Sequence, residues 1–356
     1  MPERLLYNLT FDEFAAWMNK HGEKPFHARQ VFEWAYRHNA ASFEDMTNLS
    51  KELRLDLAET FRVGPLQPAA VSAGAEATKL LLNLPHEKGG SVECVRIRMG
   101  NTYTACLSTQ IGCNVRCTFC ATGQQQCERN LSVGEILLQL ISLRAKGLTG
   151  EEPATADEPF YPVSNVVFMG MGEPFHNYPG TVAAVRMLTD KRAFGMSPSR
   201  ITVSTSGVVP MIRRYTQEGL RTELTISLNA SNDEVRQRLM PGASKWPLSE
   251  VVAACKEYSE ATGGQPVTFA YVIIEGVNDL LDHTRELGKL LRHQPHHVNV
   301  IPLNPVSHAN LRAPSKERIN AFIHHCRQFG LNVSLRHSKG VEIDAACGQL
   351  RARRQG

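Results

Sequence analysis

From about residue 92 the chain alternates short apolar, β-branched runs with stretches of helical periodicity, and this alternation limits the possible folds more than any other feature. Candidate strands are Val92–Arg98, Thr104–Thr109, Ser164–Met169, Arg200–Thr205, Glu223–Leu228, Val267–Ile274 and Val298–Leu303. Helices fit near Val133–Lys146, Thr181–Lys191, Val208–Glu218, Leu248–Thr262, Leu280–Arg292 and Lys316–Phe329. Ser132-Val133-Gly134-Glu135 opens the first of them with a capping box, a serine and a glutamate each satisfying an orphaned backbone N–H. Strands that alternate with helices pair in parallel, because each helix supplies the crossover to the next strand. Six such repeats suit an α/β fold built on a partial (β/α)6 barrel better than a full eight-fold one. Sites in such folds gather at the strand C-termini, so the residues ending each strand are the ones to read for chemistry.

The first 85 residues read differently. Thr10 can cap a helix over Phe11–Lys20, with Phe11, Phe14, Ala15 and Met18 on one face. A second helix fits Ala28–His38, with Val31, Phe32, Ala35 and Tyr36 together, and a third follows Ser50 with Leu53, Leu57 and Phe61. Gly64-Pro65-Leu66-Gln67-Pro68 breaks helix and reads as a linker. The expected organisation is a small helical accessory domain with its linker over 1–85, a core over 86–350 and a basic tail over 351–356. That tail (Arg351, Arg353, Arg354) reads as a solvated terminus rather than a phosphate site. The acidic, proline-containing stretch Thr149–Pro162 reads as a surface insertion.

With 42% hydrophobic and 21% charged residues in 356, the chain is neither disordered nor fibrous. No apolar run approaches the roughly 20 residues needed to span a bilayer. Met1-Pro2-Glu3-Arg4 lacks an apolar signal core, so a cytoplasmic location is expected. A net charge of +4 permits nucleic-acid binding without arguing for it.

Nine cysteines, an odd number, make a structural disulfide framework improbable. Cys94, Cys106, Cys113, Cys117, Cys120 and Cys127 crowd one stretch, while Cys255, Cys326 and Cys347 are scattered. Cys113-Asn114-Val115-Arg116-Cys117-Thr118-Phe119-Cys120 gives CxxxCxxC spacing directly after a strand. Three thiolates there can each hold one iron of a cubane cluster, leaving the fourth iron open to a substrate. A zinc site wants a fourth Cys or His in a second pair, and Cys127 is the available candidate. Plain packing is a poor account of a run interrupted by Asn114, Arg116 and Thr118.

The loop resembles that of the radical S-adenosylmethionine (SAM) superfamily, with Phe119 before the last cysteine. The resemblance implies one 4Fe-4S cluster on Cys113, Cys117 and Cys120, whose open iron chelates SAM and whose electron cleaves it to a 5′-deoxyadenosyl radical. Met169-Gly170-Met171-Gly172-Glu173-Pro174 is similar to the superfamily's glycine-rich segment, which assigns Gly172 and Glu173 to the methionine end of the cofactor. Ser204-Thr205-Ser206-Gly207, Ser227-Leu228-Asn229 and Asn304-Pro305 also end candidate strands. They make Ser204, Ser227, Leu228, Asn229 and Asn304 further cofactor contacts, with hydroxyl and amide groups suited to ribose and adenine.

Ile343-Asp344-Ala345-Ala346-Cys347-Gly348-Gln349-Leu350, with Cys106 and the N-terminal Lys24-Pro25-Phe26-His27-Ala28-Arg29-Gln30, resembles the adenosine methyltransferases of the RlmN and Cfr type. The resemblance implies two SAM per turnover. Cys347 takes a methyl group by displacement, the deoxyadenosyl radical abstracts hydrogen from it, and the carbon radical adds to adenine. Cys106 then attacks the Cys347 sulfur and forms a transient disulfide as the methylated base leaves. Glu93, in Ser91-Val92-Glu93-Cys94, stands where the C2 enzymes carry a general base. The implied substrates are an adenosine in 23S ribosomal RNA, met on a protein-poor assembly intermediate, and the adenosine 3′ of the anticodon in transfer RNA. An external electron donor and a disulfide reductant are implied, with no membrane partner and a monomeric enzyme.

Pro174, Ser204-Thr205-Ser206-Gly207 and Ile301-Pro302-Leu303-Asn304-Pro305 resemble the C2 group more than the C8 group, so the resemblance implies C2 methylation over the alternative, C8 methylation of the Cfr type that confers antibiotic resistance. Asn229 departs from the histidine of many relatives. A non-catalytic, zinc-stabilised RNA-binding protein is the alternative of another class.

Overall fold

The computed structural model describes residues 4–147, 160–306 and 310–351. The insertion expected over 149–162 therefore falls largely outside the described residues, as do Arg353 and Arg354 of the tail.

The chain opens with β1 (Arg4–Leu5), followed by α1 (Phe11–Lys20), α2 (Pro25–Phe32) and α3 (Lys51–Thr60). Thr10 caps α1 in a full capping box with Glu13. The second helix begins earlier than its apolar pattern predicts, because Pro25 occupies the first turn, where its missing N–H costs nothing. Its continuation, Glu33–Arg37, widens into a π-helical turn. The short strand β2 (Phe61–Arg62) then pairs in parallel with β1.

The stretch after the Gly64–Pro68 break is not helical. β3 (Ala70–Ala73) and β4 (Ala77–Asn83) are strands, antiparallel to each other. β4 in turn pairs antiparallel with β5 (Ser91–Met99), and β5 with β6 (Thr102–Cys106). Sequence pattern missed β3 and β4 because a short run such as Leu80–Leu82 fits either periodicity.

From β6 onward every pairing in the large sheet is parallel. The order runs β6, β9 (Val163–Phe168), β10 (Ile201–Thr205), β11 (Glu223–Ser227), β12 (Val267–Ile273), β13 (His296–Pro302) and β14 (Val333–Leu335). Two short strands, β7 (Gln110–Ile111) and β8 (Arg129–Asn130), form a separate antiparallel pair between β6 and β9 in sequence. The crossovers are α4 (Val133–Arg144), α5 (Tyr178–Thr189), α6 (Val209–Gln217), α7 (Asp233–Leu239) with α8 (Leu248–Ala261), α9 (Leu281–Leu291) and α10 (Lys316–Gln328). This is the expected partial barrel of six β/α units, completed by β14 and extended backwards by β5, β4 and β3.

The expected strand Thr104–Thr109 stops at Cys106. Beyond it Ser108 turns its N–H to the Gln139 side chain (2.8 Å) and its hydroxyl to the Glu93 carbonyl (2.6 Å), so the chain leaves the ladder.

α4 explains how the N-terminal helices attach. Nearly all of it is buried, polar residues included, because the sheet covers one face and the N-terminal helices another. Arg144 donates to the carbonyls of Tyr36 (2.7 Å) and Arg37 (3.1 Å), and Asn8 Oδ1 accepts from Gly134 N–H (2.8 Å). The cores of the two parts are continuous. Among the described residues no helix is long and apolar enough to cross a membrane.

Candidate active site at the cysteine loop

The β6–α4 connection carries the three cysteines on the C-terminal side of the sheet. The β7–β8 pair closes it, and Arg129 on β8 forks onto the buried Glu135 carboxylate at 2.9 and 2.7 Å. Gly123 lies so close to the loop that a Cβ there would stand 2.8 Å from the Cys117 carbonyl oxygen. Cys113 is buried, while Cys117 and Cys120 are half-buried. All three line one cavity with Gly172, Glu173, Ser204, Ser227, Asn229, Asn304 and Cys347.

Burial pushes the Cys113 thiol up to about 12 and raises Cys117 and Cys120 too, with neighbouring thiols adding to the effect. A bound cation would have to draw these protons off, since only the thiolate ligates metal. Among the described residues no three Cys, His, Asp or Glu side chains converge on a single ion. Three thiols from one short loop on a single cavity wall suit a cubane in which each cysteine holds its own iron. Cys127 does not line the cavity.

The strand-end residues divide into two kinds. Gly172 has φ +95°, and a Cβ would fall 2.8 Å from Gln110 N, so only glycine takes this turn unstrained. Glu173 is buried and already engaged: Oε1 accepts from Phe175 N–H (2.9 Å) and Oε2 from Ser206 N–H (2.7 Å), bracing the β9 loop to the β10 loop. Ser204 and Ser227 line the cavity half-buried, at the ends of β10 and β11. Asn229 takes the left-handed conformation (φ 55°), which asparagine tolerates, and its Oδ1 accepts from Val272 N–H at 2.9 Å. Asn304 donates to the Ser338 hydroxyl and the Cys347 carbonyl, both at 2.9 Å. Leu228 is fully buried and absent from the cavity lining, and its carbonyl accepts from Arg236 at 2.8 Å.

Arg236 is a residue that sequence reasoning missed. Almost wholly buried on α7, its guanidinium also binds the carbonyls of Ser206 and Ser227, tying the ends of β10 and β11 together. Nothing in the spacing of Asp233–Leu239 marks it. Gln110 is another: it accepts from Glu173 N–H at 2.8 Å.

Cys106 ends β6 and is buried, whereas Cys347 is exposed on the segment after β14. Burial first, and the neighbouring Cys347 second, push the Cys106 thiol up to about 12. The Cys347 segment lies along the cysteine loop, where Ala121 N–H donates to the Gly348 carbonyl (2.7 Å) and the Thr122 hydroxyl to that of Leu350. Glu93, buried on β5, accepts from Arg351 N–H at 2.7 Å and pairs with Lys79 at 3.2 Å. Burial raises its carboxyl above the usual range, against the pull of Lys79 and of the Arg351 N–H.

A partial β/α barrel whose strand ends carry a three-thiol loop facing a glycine-rich turn is the core of a radical SAM enzyme. The model of that superfamily matches residues 107–288, and the one for the ribosomal RNA large subunit methyltransferase N-terminal domain matches residues 5–63. A radical SAM methyltransferase from Sphaerobacter thermophilus superposes with TM-score 0.90 at 41% identity, covering 98% of this chain and 100% of that one. A protein of Geobacillus thermodenitrificans named probable dual-specificity RNA methyltransferase RlmN is 38% identical over 99% of this chain and 94% of its own length. One so named from Enterococcus faecalis is 39% identical over 99% and 97%. The chain belongs to the RlmN family of radical SAM RNA methyltransferases, a class that uses a 4Fe-4S cluster and SAM.

Proposed function

We propose that the enzyme methylates C2 of adenosine in 23S ribosomal RNA and of the adenosine 3′ of the anticodon in transfer RNA, through a methyl group carried on Cys347. The observation that carries this reading is the meeting of two thiols from opposite ends of the core, Cys106 and Cys347, beside the cluster loop.

Adenine C2 is a poor nucleophile, so direct attack on a sulfonium methyl is unfavourable, whereas a thiolate takes that methyl readily. Cys347, exposed and on the cavity wall, is placed to accept it and then to present it to a base. Cys113, Cys117 and Cys120 hold the cluster, and Gly172, Glu173, Ser204, Ser227, Asn229 and Asn304 surround SAM, with Leu228 contributing backbone only. When bound, the cluster and SAM would supply one-electron chemistry for hydrogen abstraction, and the oxidised cluster would be the acceptor for the electron that the RNA adduct sheds. Glu93 removes the C2 proton as general base. Cys106 attacks the Cys347 sulfur and a Cys106–Cys347 disulfide forms, while the carbon–sulfur bonding pair leaves on the base-bound carbon, which takes up a proton to become methyl; an external dithiol must reduce the disulfide. The hydrogen-bonded strand ends around Arg236 keep the cavity walls fixed through these steps.

The N-terminal helical unit, packed on α4, offers RNA a second surface. We read the enzyme as a cytoplasmic monomer using an external electron donor. The test is methylation of ribosomal and transfer RNA with labelled SAM, with modified adenosine resolved by chromatography. Methyl at C2 in both RNAs is expected; methyl at C8, of equal mass but different retention, would overturn the reading. Colourless, zinc-loaded protein that only bound RNA would overturn it more completely.

A further inference from the structure

Lys79 has no part in the chemistry above, yet it joins Glu93 to the segment that carries Cys347. It lies on β4, whose register places Leu81 opposite Glu93 and Lys79 opposite Val95, so Lys79 is the diagonal neighbour of Glu93 on the same sheet face. Its Nζ is 3.2 Å from Glu93 Oε1 and donates to the Asp344 carbonyl at 3.0 Å. Both side chains are about nine-tenths buried, at 11% and 10% exposure. The second carboxylate oxygen accepts from Arg351 N–H. The two attachments therefore fall on either side of Cys347, one at residue 344 and the other at 351. The remaining charged group that acts on Glu93 is the Asp344 carboxylate, which disfavours its ionised form, while burial keeps the neighbouring Cys94 thiol protonated and uncharged.

We propose that Lys79 is a positioning residue of the methyl transfer, fixing the Glu93 carboxylate and the Cys347 segment as a single assembly. The proposal rests on the reading of Glu93 as general base. A carboxylate this deeply buried is costly to hold ionised without a cation beside it, and Lys79 is the cation present. Each carboxylate oxygen keeps a free lone pair, so Glu93 can take the C2 proton while its electron pair stays on the purine. Once protonated, Glu93 loses most of its attraction for Lys79 and for the Arg351 N–H. Proton removal thus loosens the segment just before Cys347 must meet Cys106.

The test is single-turnover methylation of RNA carrying hydrogen or deuterium at the target C2, followed across pH in cluster-loaded enzyme. Lys79→Met is expected to slow product release by more than about tenfold at neutral pH and to move its acid limb upward by about 1–3 units. The C2 isotope effect should grow, because proton removal becomes limiting. Lys79→Gln, which keeps a donor for Asp344 but no charge, should shift the limb likewise and serves if the Met variant does not fold. Lys79→Arg should restore the parent profile. An unmoved limb with an unchanged isotope effect in the Met or Gln variant overturns the proposal, whatever the rate. Glu93→Gln separates the two ideas: if it reacts at the parent rate, the base assignment fails first.

Discussion

The cluster-loop cysteines and the pair Cys106–Cys347 are both sets of neighbouring thiols, yet they are built in opposite ways: the three loop thiols and Cys347 line one cavity, and Cys106 lies buried behind it. Cys113, Cys117 and Cys120 come from one loop, closed by β7–β8 and packed against Gly123 and the Leu239 carbonyl. Cys106 and Cys347 come from the first parallel strand and from the far end of the chain. One of the pair is buried on a ladder, and the other is exposed on a segment whose carbonyls accept from Ala121, Thr122, Asn304 and Lys79 and whose Arg351 N–H donates to Glu93. Ligands must stay still, so a rigid loop suits them. On the proposed mechanism Cys347 must reach cofactor, base and resolving thiol in turn, which suits an exposed segment tied down by separate hydrogen bonds.

The largest expected effect tests the rigid set. Cys113→Ala, Cys117→Ala or Cys120→Ala should each abolish methylation and strip iron and sulfide, measured by metal analysis and visible absorbance. A variant with full iron content and turnover would remove that thiol from the ligand set. Next comes the Cys106–Cys347 pair, where loss of turnover should be equally complete but unequal in kind. Cys106→Ala should still load methyl on Cys347 and form the adduct, so purified protein carries covalently bound RNA. Cys347→Ala should carry none. Denaturing gels with and without ribonuclease separate this from a structural disulfide, whose loss would cost both variants about 2–5 kcal/mol alike.

A smaller effect concerns the buried member of the pair. With its thiol pushed up to about 12, Cys106 is almost wholly protonated at neutral pH, and its thiolate fraction rises as pH rises. Resolution of the adduct in the parent enzyme should therefore quicken with pH by up to about tenfold per unit through the mildly alkaline range, because the thiolate is the attacking form. A flat profile in rapid-quench measurements would mean that another group deprotonates Cys106. The smallest effect belongs to the tether between the sets. Thr122→Val removes the hydrogen bond to the Leu350 carbonyl, worth about 1 kcal/mol, together with the hydroxyl's interaction with the Cys120 thiol. Methyl loading should slow several-fold with iron content unchanged; a matching loss of iron would show that the two sets are not separable.

The spacing of Cys113, Cys117 and Cys120 and the alternation of strands and helices are both local, and both were readable from residues alone. Periods of two and 3.6 are set by backbone geometry, and a three-thiol loop needs only a few residues to be complete. The roles of Glu93, Cys106 and Cys347 needed a family resemblance, since a lone glutamate in a strand and two distant cysteines have no local signature. Resemblance also assigned Leu228, but the fold buries its side chain and leaves only backbone for a ligand. What folding alone settled is who stands next to whom. β4 entered the sheet although Leu80–Leu82 fits helix as well as strand, because pairing with β5 buries that run. That pairing brings Lys79 to Glu93, just as the crossover through α7 brings Arg236 to three carbonyls. A charge buried far from its partner in sequence is tolerable only once the chain has folded, so no short-range pattern can announce it.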